Sequence, residues 1–106
     1  MATMKCSVER NRVERLQSKA SAWLVDLRRS AEITAKELAE QVGLDRTDVA
    51  EIESGRTPVP PALYQDFAKI YGVEPQGFAK TCLMYSSPSA YEALFGELPA
   101  SLREAA

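Results

Sequence analysis

Apolar residues recur every three or four positions along almost the whole chain, and no segment alternates convincingly with a period of two. Steps of three and four place apolar side chains on one face of an α-helix, whereas a half-buried strand needs alternation. The pattern therefore predicts an all-α fold. The 106 residues fit one small domain with an added helix or tail. A composition that is 45% apolar and 26% charged is ordinary for a globular protein.

The glycines and prolines that interrupt this periodicity divide the chain into six predicted helices. The first covers about Val8 to Ser30, with a possible break near Ser18 to Ser21, and a tail from Leu98 onward is expected to be only partly ordered. The other helices are predicted at Ala35–Val42, Asp45–Ser54, Pro61–Tyr71, Pro75–Met84 and Tyr91–Phe95. We expect a basic helical extension at 1–20, a main domain at 21–85 and a C-terminal extension at 86–106.

Two short helices on either side of Gly43 carry the clearest local signals. Thr34 and Glu37 have the spacing of a capping box, in which each side chain binds the other residue's backbone amide. Gly43 suits the left-handed conformation that ends a helix, and the carboxylate of Asp45 is expected to cap the next one. Ala39 is small, as the close crossing of two helices requires. Two capped helices joined by a tight glycine turn form a helix-turn-helix, so we place that domain at 21–85.

The stretch from Leu27 to Phe78, with LAEQVGL followed by VAEIESGR, resembles the Cro and lambda-repressor family, also called Xre-like. The resemblance implies a five-helix lambda-repressor-like DNA-binding bundle, here with a long N-terminal helix and a short C-terminal helical extension. It also implies that the third helix enters the major groove and that a homodimer binds a palindromic operator, as a repressor of bacterial or phage type. Ala35 departs from the pattern, because the second helix of such proteins often begins with a glutamine that grips the DNA backbone.

The outward arc of the third helix is the predicted reading surface. At 100° per residue, five side chains face away from the buried Val49 and Ile52. The side chains at the middle of the arc, Ala50 and Ser54, are small, which permits close approach to base edges. Its arginine can donate two hydrogen bonds to guanine, its threonine can touch a thymine methyl group or a phosphate, and its glutamate can accept one from cytosine. The predicted base-reading residues are Arg46, Thr47, Ala50, Glu51 and Ser54.

Phosphate contacts are harder to place, because the motif is acidic. Residues 32–57 hold three cations and seven carboxylates, whereas residues 1–31 hold seven cations and three carboxylates. DNA affinity rests largely on phosphate neutralisation, so the first helix is expected to supply cations. The start of the second helix adds a site where phosphate can meet backbone amides. The predicted phosphate-contacting residues are Arg28, Arg29, Thr34, Lys36 and Arg56.

Several structural interpretations stay open at this level. The first helix is either a solvated amphipathic helix or a dimerising or DNA-contacting extension, and the outward arc can be only a solvated face. Glu53 is interpreted as a structural residue, with Arg56 as a candidate partner, while Gly43 and Gly55 are backbone devices. Apolar side chains between Leu83 and Leu98 either form a dimer interface or fold back on the chain's own core.

A protein-binding function competes with DNA regulation. In that alternative the acidic motif meets a protein partner, as an adaptor or an antitoxin-like module. An enzyme is not expected: the chain has no histidine and no glycine-rich phosphate loop, and we predict no metal site and no cofactor. Cys6 and Cys82 are interpreted as unreactive thiols. Without an apolar stretch of membrane length, we expect a cytoplasmic, nucleoid-associated protein with no membrane partner.

Overall fold

The first helix, α1, sets the length of the molecule. The computed structural model describes residues 2–103, and the side chains of residues 8–100 and of Leu102. Helix α1 covers Ala2–Ser30, and its 29 residues correspond to about 43 Å at 1.5 Å per residue, which matches the longest dimension of 43 Å. The predicted start at Val8 is therefore too late. The predicted break near Ser18 is also wrong, because buried Leu16 and Leu24 anchor the helix on both sides of it.

All regular structure within residues 2–103 is helical, which confirms the all-α class for that part of the chain. The helices after α1 are α2 (Ala35–Val42), α3 (Arg46–Glu53), α4 (Tyr64–Tyr71), α5 (Pro75–Ser86), α6 (Pro88–Phe95) and α7 (Ala100–Arg103). Helix α4 is preceded by a 3-10 turn at Pro61–Leu63, where an α-helix was predicted. No helix in the described part combines the length and apolarity needed to cross a membrane.

One apolar core joins the first five helices. Phe67 and Ala68 of α4 are fully buried at its centre, and Phe78 of α5 stacks on Phe67 with ring centroids 6.4 Å apart. Phe78 also stacks with Trp23 of α1, with ring centroids 5.2 Å apart. This core holds α2 and α3 against a rigid base, with buried members Leu24, Leu38, Ala39, Val49, Ile52, Val59, Phe67, Ala68, Tyr71, Phe78 and Cys82.

A second, smaller core corrects the expectation for the C-terminal end. Leu98 and Leu102 are 2% and 7% exposed and pack with Leu16 of α1 and Met84 of α5. The chain from Leu98 to Arg103 is therefore folded onto α1, because two apolar side chains spaced by four residues anchor it. Residues 104–106 of the predicted tail lie outside the described part.

The first half of α1 is fastened to α6 by polar contacts. The carboxylate of Glu9 accepts hydrogen bonds from the backbone amide of Ser89 at 3.0 and 3.3 Å. Arg12 makes an ion pair with Glu92 at 2.6 Å. The negative charge of a carboxylate at the start of a helix also interacts favourably with the positive end of the helix dipole. Neither sequence interpretation of α1 included this role as the support of α6.

Candidate nucleic-acid interface

Both ends of α2, the capping box before it and the glycine turn between α2 and α3, form as the sequence predicts. The Thr34 hydroxyl oxygen accepts from the Glu37 amide at 3.0 Å, and the Glu37 carboxylate accepts from the Thr34 amide at 3.1 Å. Gly43 adopts φ +75°, in the left-handed region. Leu38 and Ala39 are buried beneath the turn at 0% and 2% exposure. The predicted capping box at the start of α2 and the glycine turn at its end are thus confirmed. The left-handed Gly43 sets the direction in which the chain leaves α2 toward α3.

The start of α3 differs from the prediction in one respect. Asp45 occupies the cap position with extended backbone angles, φ −76° and ψ 156°, but its side chain makes no capping hydrogen bond. Its backbone carbonyl accepts from the Val49 amide at 3.1 Å. The predicted cap by the Asp45 carboxylate is therefore wrong. Because this carboxylate is exposed, water competes with the backbone amides of α3 as its hydrogen-bond donor. Asp45 and Asp48 still place negative charge at the positive end of the helix dipole.

Helix α3 has a buried face and an exposed face, and most of the predicted reading residues are on the exposed one. Val49 and Ile52 are 0% and 3% exposed and belong to the main core. Arg46, Thr47 and Ala50 are exposed, and only a methyl group projects from the middle of this surface at Ala50. The structure therefore brings these three side chains together on one accessible side of a short helix.

Glu51 and Ser54 are half-buried and are tied to the segment that follows α3. The Ser54 hydroxyl donates to the Glu51 carbonyl oxygen at 2.7 Å and accepts from the Arg56 amide at 3.3 Å. The Glu51 carboxylate lies 3.6 Å from the Arg56 guanidinium. Their side chains are 42% and 71% exposed, so this ion pair is weak and readily exchanged for another partner.

Arg28 lies inside the protein and contacts the end of α3. Its Nε donates to both carboxylate oxygens of Glu53, at 2.8 and 3.0 Å, and its Nη1 donates to the Ile33 carbonyl oxygen at 3.0 Å. The Arg28 and Glu53 side chains are only 17% and 9% exposed. Glu53 is structural as predicted, but its partner is Arg28, while Arg56 pairs with Glu51. Sequence reasoning missed this pair because the two residues lie 25 positions apart.

Gly55 brings α1 directly against the chain leaving α3. It adopts φ +83°, and a Cβ atom there would lie 3.0 Å from the backbone carbonyl carbon of Gln17 and closer still to its oxygen. The Ser21 hydroxyl of the same helix donates to the Glu53 carbonyl oxygen. Close approach of two backbones without a side chain between them is the role that only glycine can fill. The position of α3 is thus fixed by α1 as well as by α2.

The remaining predicted phosphate contacts are exposed. Arg29 lies in the last turn of α1, Lys36 lies in the first turn of α2, and Thr34 directly precedes α2; all three are exposed. The Thr34 hydroxyl uses a lone pair in the capping box, so its hydrogen is still able to donate. Arg29, Thr34 and Lys36 thus stand on the segment that leads into the helix-turn-helix, whereas Arg28 is turned into the protein.

Comparison with protein families matches residues 21–79 to a family model described as a helix-turn-helix domain. No characterised protein and no solved structure matches the chain. The matched range extends from Ser21, which contacts Glu53, to just beyond Phe78, which stacks on Phe67 of α4. It contains the buried members of the main core except Cys82, and none of the second core. More than half of the chain is therefore covered, and the protein belongs to the helix-turn-helix domain family, whose members are DNA-binding.

Proposed function

We propose that the protein is a transcriptional regulator of the Cro and lambda-repressor-like (Xre) type, acting as a repressor that binds an inverted-repeat operator as a homodimer. The observation that carries this proposal is the two-sided structure of α3. Its inner face is held by the core through Val49 and Ile52, while Arg46, Thr47 and Ala50 stand exposed beside one another. A rigid helix with a small residue at its centre fits the major groove of B-DNA.

The reading roles follow from side-chain chemistry and from the local contacts. Arg46 donates to guanine N7 and O6, and Thr47 meets a thymine methyl group or a phosphate. Glu51 accepts from cytosine N4 once Arg56 leaves it for a phosphate, an exchange favoured by the exposed 3.6 Å ion pair. Ala50 and Ser54 have small side chains that let the helix approach the bases closely. The Ser54 hydroxyl does not read a base, because it already binds the Glu51 carbonyl oxygen at the helix end.

The phosphate contacts are assigned to cations that project into solvent. Arg29, Lys36 and Arg56 are exposed, and Thr34 adds a hydroxyl donor at the start of α2. Arg28 takes a positioning role, since its guanidinium already binds Glu53 and Ile33. These contacts are needed because the motif carries seven carboxylates against three cations, and phosphate neutralisation dominates affinity for DNA.

The dimer interface is assigned to α6. Met84 and Leu98 are buried within the chain, whereas Leu94 and Phe95 are 68% and 50% exposed. Exposed neighbouring apolar side chains of this size favour a contact with a second copy. A two-fold dimer places its α3 helices about 34 Å apart, one turn of DNA.

Selection of duplexes from a random pool tests the proposal. We expect enrichment of an inverted repeat with half-sites about one helical turn apart. The Arg46→Ala variant should lose about 1–3 kcal/mol of discrimination at one position of each half-site. The Arg56→Ala and Lys36→Ala variants should weaken all sequences alike and reduce the slope of log K against log salt by about one each. If no duplex is enriched, or if all three variants bind as the parent does, the proposal is wrong.

A protein-binding adaptor or antitoxin-like module is the second candidate. The excess of carboxylates in residues 32–57 favours it, because an acidic surface repels phosphates and suits a basic protein partner. A salt titration with random duplex DNA separates the two functions. The regulator binds at low salt and weakens as salt rises, whereas the adaptor shows no binding even at the lowest salt concentration.

A further inference from the structure

A pocket of about 130 Å³ opens between α1, α5 and the segment that follows α3. Its inner wall contains the buried side chains of Leu24, Ile52 and Val59, which are 4%, 3% and 5% exposed. The aromatic rings of Trp23 and Tyr85 form another side, with centroids 5.6 Å apart and planes inclined at 41°. The exposed residues Thr57 and Pro58 mark the entrance.

The chemistry of the walls selects a neutral and mainly apolar occupant. The Cys82 thiol also lines the pocket, and burial raises its pKa to about 12, so it stays uncharged at neutral pH. The single cation of the lining, Arg56, has a side chain that is 71% exposed and turned toward Glu51. A charged molecule would lose its hydration here without gaining a buried partner of opposite charge. Gln17 and Ser86 provide polar groups for at most a small substituent.

The volume limits the occupant to about one ring. An apolar protein cavity of about 150 Å³ is known to hold benzene, so 130 Å³ accommodates a single six-membered aromatic ring. A fused system with polar groups, such as a nucleoside, exceeds this space. Aromatic walls add a geometric preference, because rings pair favourably at centroid distances of about 4.5–7 Å.

We propose that this pocket is a binding site for a small neutral aromatic molecule of one ring. The occupant contacts Ile52 on the inner face of α3 and Val59 in the segment that carries Arg56. If the proposed DNA function holds, the ligand would therefore lie behind the reading helix and beside a phosphate contact. The binding site itself does not depend on that function, since it is tested on the free protein.

The chain contains one tryptophan, Trp23, and this residue lines the pocket, which gives a direct optical measurement. We would titrate the full chain with toluene and follow tryptophan fluorescence, and count bound ligand by equilibrium dialysis. We expect a saturable change with one toluene bound per chain. Benzoate, which has the same ring and a negative charge, should bind at least about tenfold more weakly. A parent protein without a saturable change, or equal binding of benzoate, would overturn the proposal.

Two pocket-filling variants and a matched control locate the site. Ala20→Leu and Val13→Phe place larger side chains in the lining, whereas Ala22→Leu makes the same change as the first at an exposed position of the same helix. Thermal unfolding establishes which filling variant is folded, and the folded one is used. We expect it to lose toluene binding by about tenfold or more, while Ala22→Leu binds as the parent does. Undiminished binding in a folded filling variant would contradict the assignment.

Discussion

The Arg28 guanidinium binds both carboxylate oxygens of Glu53, at 2.8 and 3.0 Å, and so joins the last turn of α1 to the last residue of α3. The pair lies largely out of solvent, with side chains 17% and 9% exposed. Loss of one member leaves the other as an uncompensated buried charge, which is the expensive case for an ion pair. The orientation of the exposed face of α3 therefore depends on a residue that need not contact DNA.

The first prediction concerns this pair. Arg28→Met should lower the free energy of unfolding by about 3–5 kcal/mol, because Glu53 loses its buried partner. Arg29→Met, the matched change at the exposed neighbour, should alter it by less than about 0.5 kcal/mol. Urea denaturation followed by circular dichroism measures both. Equal stability of the two variants would show that Arg28 acts at the surface, as the sequence alone suggested.

The second prediction compares two glycines with similar φ angles, +75° at Gly43 and +83° at Gly55. Gly43→Ala places a Cβ where no atom lies within 4 Å, so only the left-handed conformation is penalised, by about 1–2 kcal/mol. Gly55→Ala adds a collision with the backbone of Gln17 and should cost about 1–3 kcal/mol more. The measurement is the midpoint and slope of chemical denaturation for both variants. If Gly55→Ala is no worse than Gly43→Ala, the close packing of α1 against the end of α3 is incorrect.

The third prediction separates the two kinds of apolar residue near the C-terminal end. Leu98→Ala should cost about 2–5 kcal/mol, because Leu98 is 2% exposed in the second core. Leu94→Ala should change stability by less than about 0.5 kcal/mol, because Leu94 is 68% exposed. Thermal denaturation at a concentration where the chain is monomeric makes the comparison. If Leu98→Ala is as stable as the parent, Leu98 is not packed in the second core, and the segment is the partly ordered tail predicted from the sequence.

The fourth prediction is a loss of stability at alkaline pH. Burial raises the pKa of the Cys82 thiol from 9.0 to about 12. The folded state therefore favours the neutral thiol, and this contribution is complete below about pH 9 and is lost as the pH rises toward about 12. In a Cys6→Ser background, Cys82→Ala should show a shallower decline of unfolding free energy over that range. An unchanged decline would mean that Cys82 is solvated in the folded protein.

The parts of the fold that follow from short stretches of sequence were predictable. The capping box of Thr34 and Glu37 and the left-handed Gly43 depend on residues within a few positions, and both are present. The burial of Val49 and Ile52 follows from helical periodicity alone. The exposure of Arg46, Thr47 and Ala50 follows from the same periodicity, so the position of three of the five proposed reading residues on the exposed face was predictable.

The parts that depend on how distant segments meet were not predictable. Arg28 flanks the apolar stripe of α1, and no residue near it in the sequence indicates that its guanidinium binds Glu53 of α3. Leu98 follows Gly96 in a stretch too short to show a period, and its burial depends on Leu16 of α1. The absence of a carboxylate cap at Asp45 reflects competition with solvent, which a spacing rule does not include. Which base each side chain of α3 contacts depends on the register of the protein on DNA, and that register is set by the phosphate contacts.

Contact between the exposed face of α3 and DNA predicts that Ala50→Leu weakens DNA binding in a folded protein. Ala50 is exposed at the middle of that face, so the larger side chain should leave stability within about 0.5 kcal/mol of the parent. It should also hold the helix away from base edges and reduce affinity for the selected duplex by about tenfold or more. Ala22→Leu, the same change on an exposed position of α1, is the control and should bind DNA as the parent does. Fluorescence anisotropy at fixed salt measures all three proteins. Unreduced DNA affinity in a folded Ala50→Leu variant would show that this face of α3 does not meet DNA.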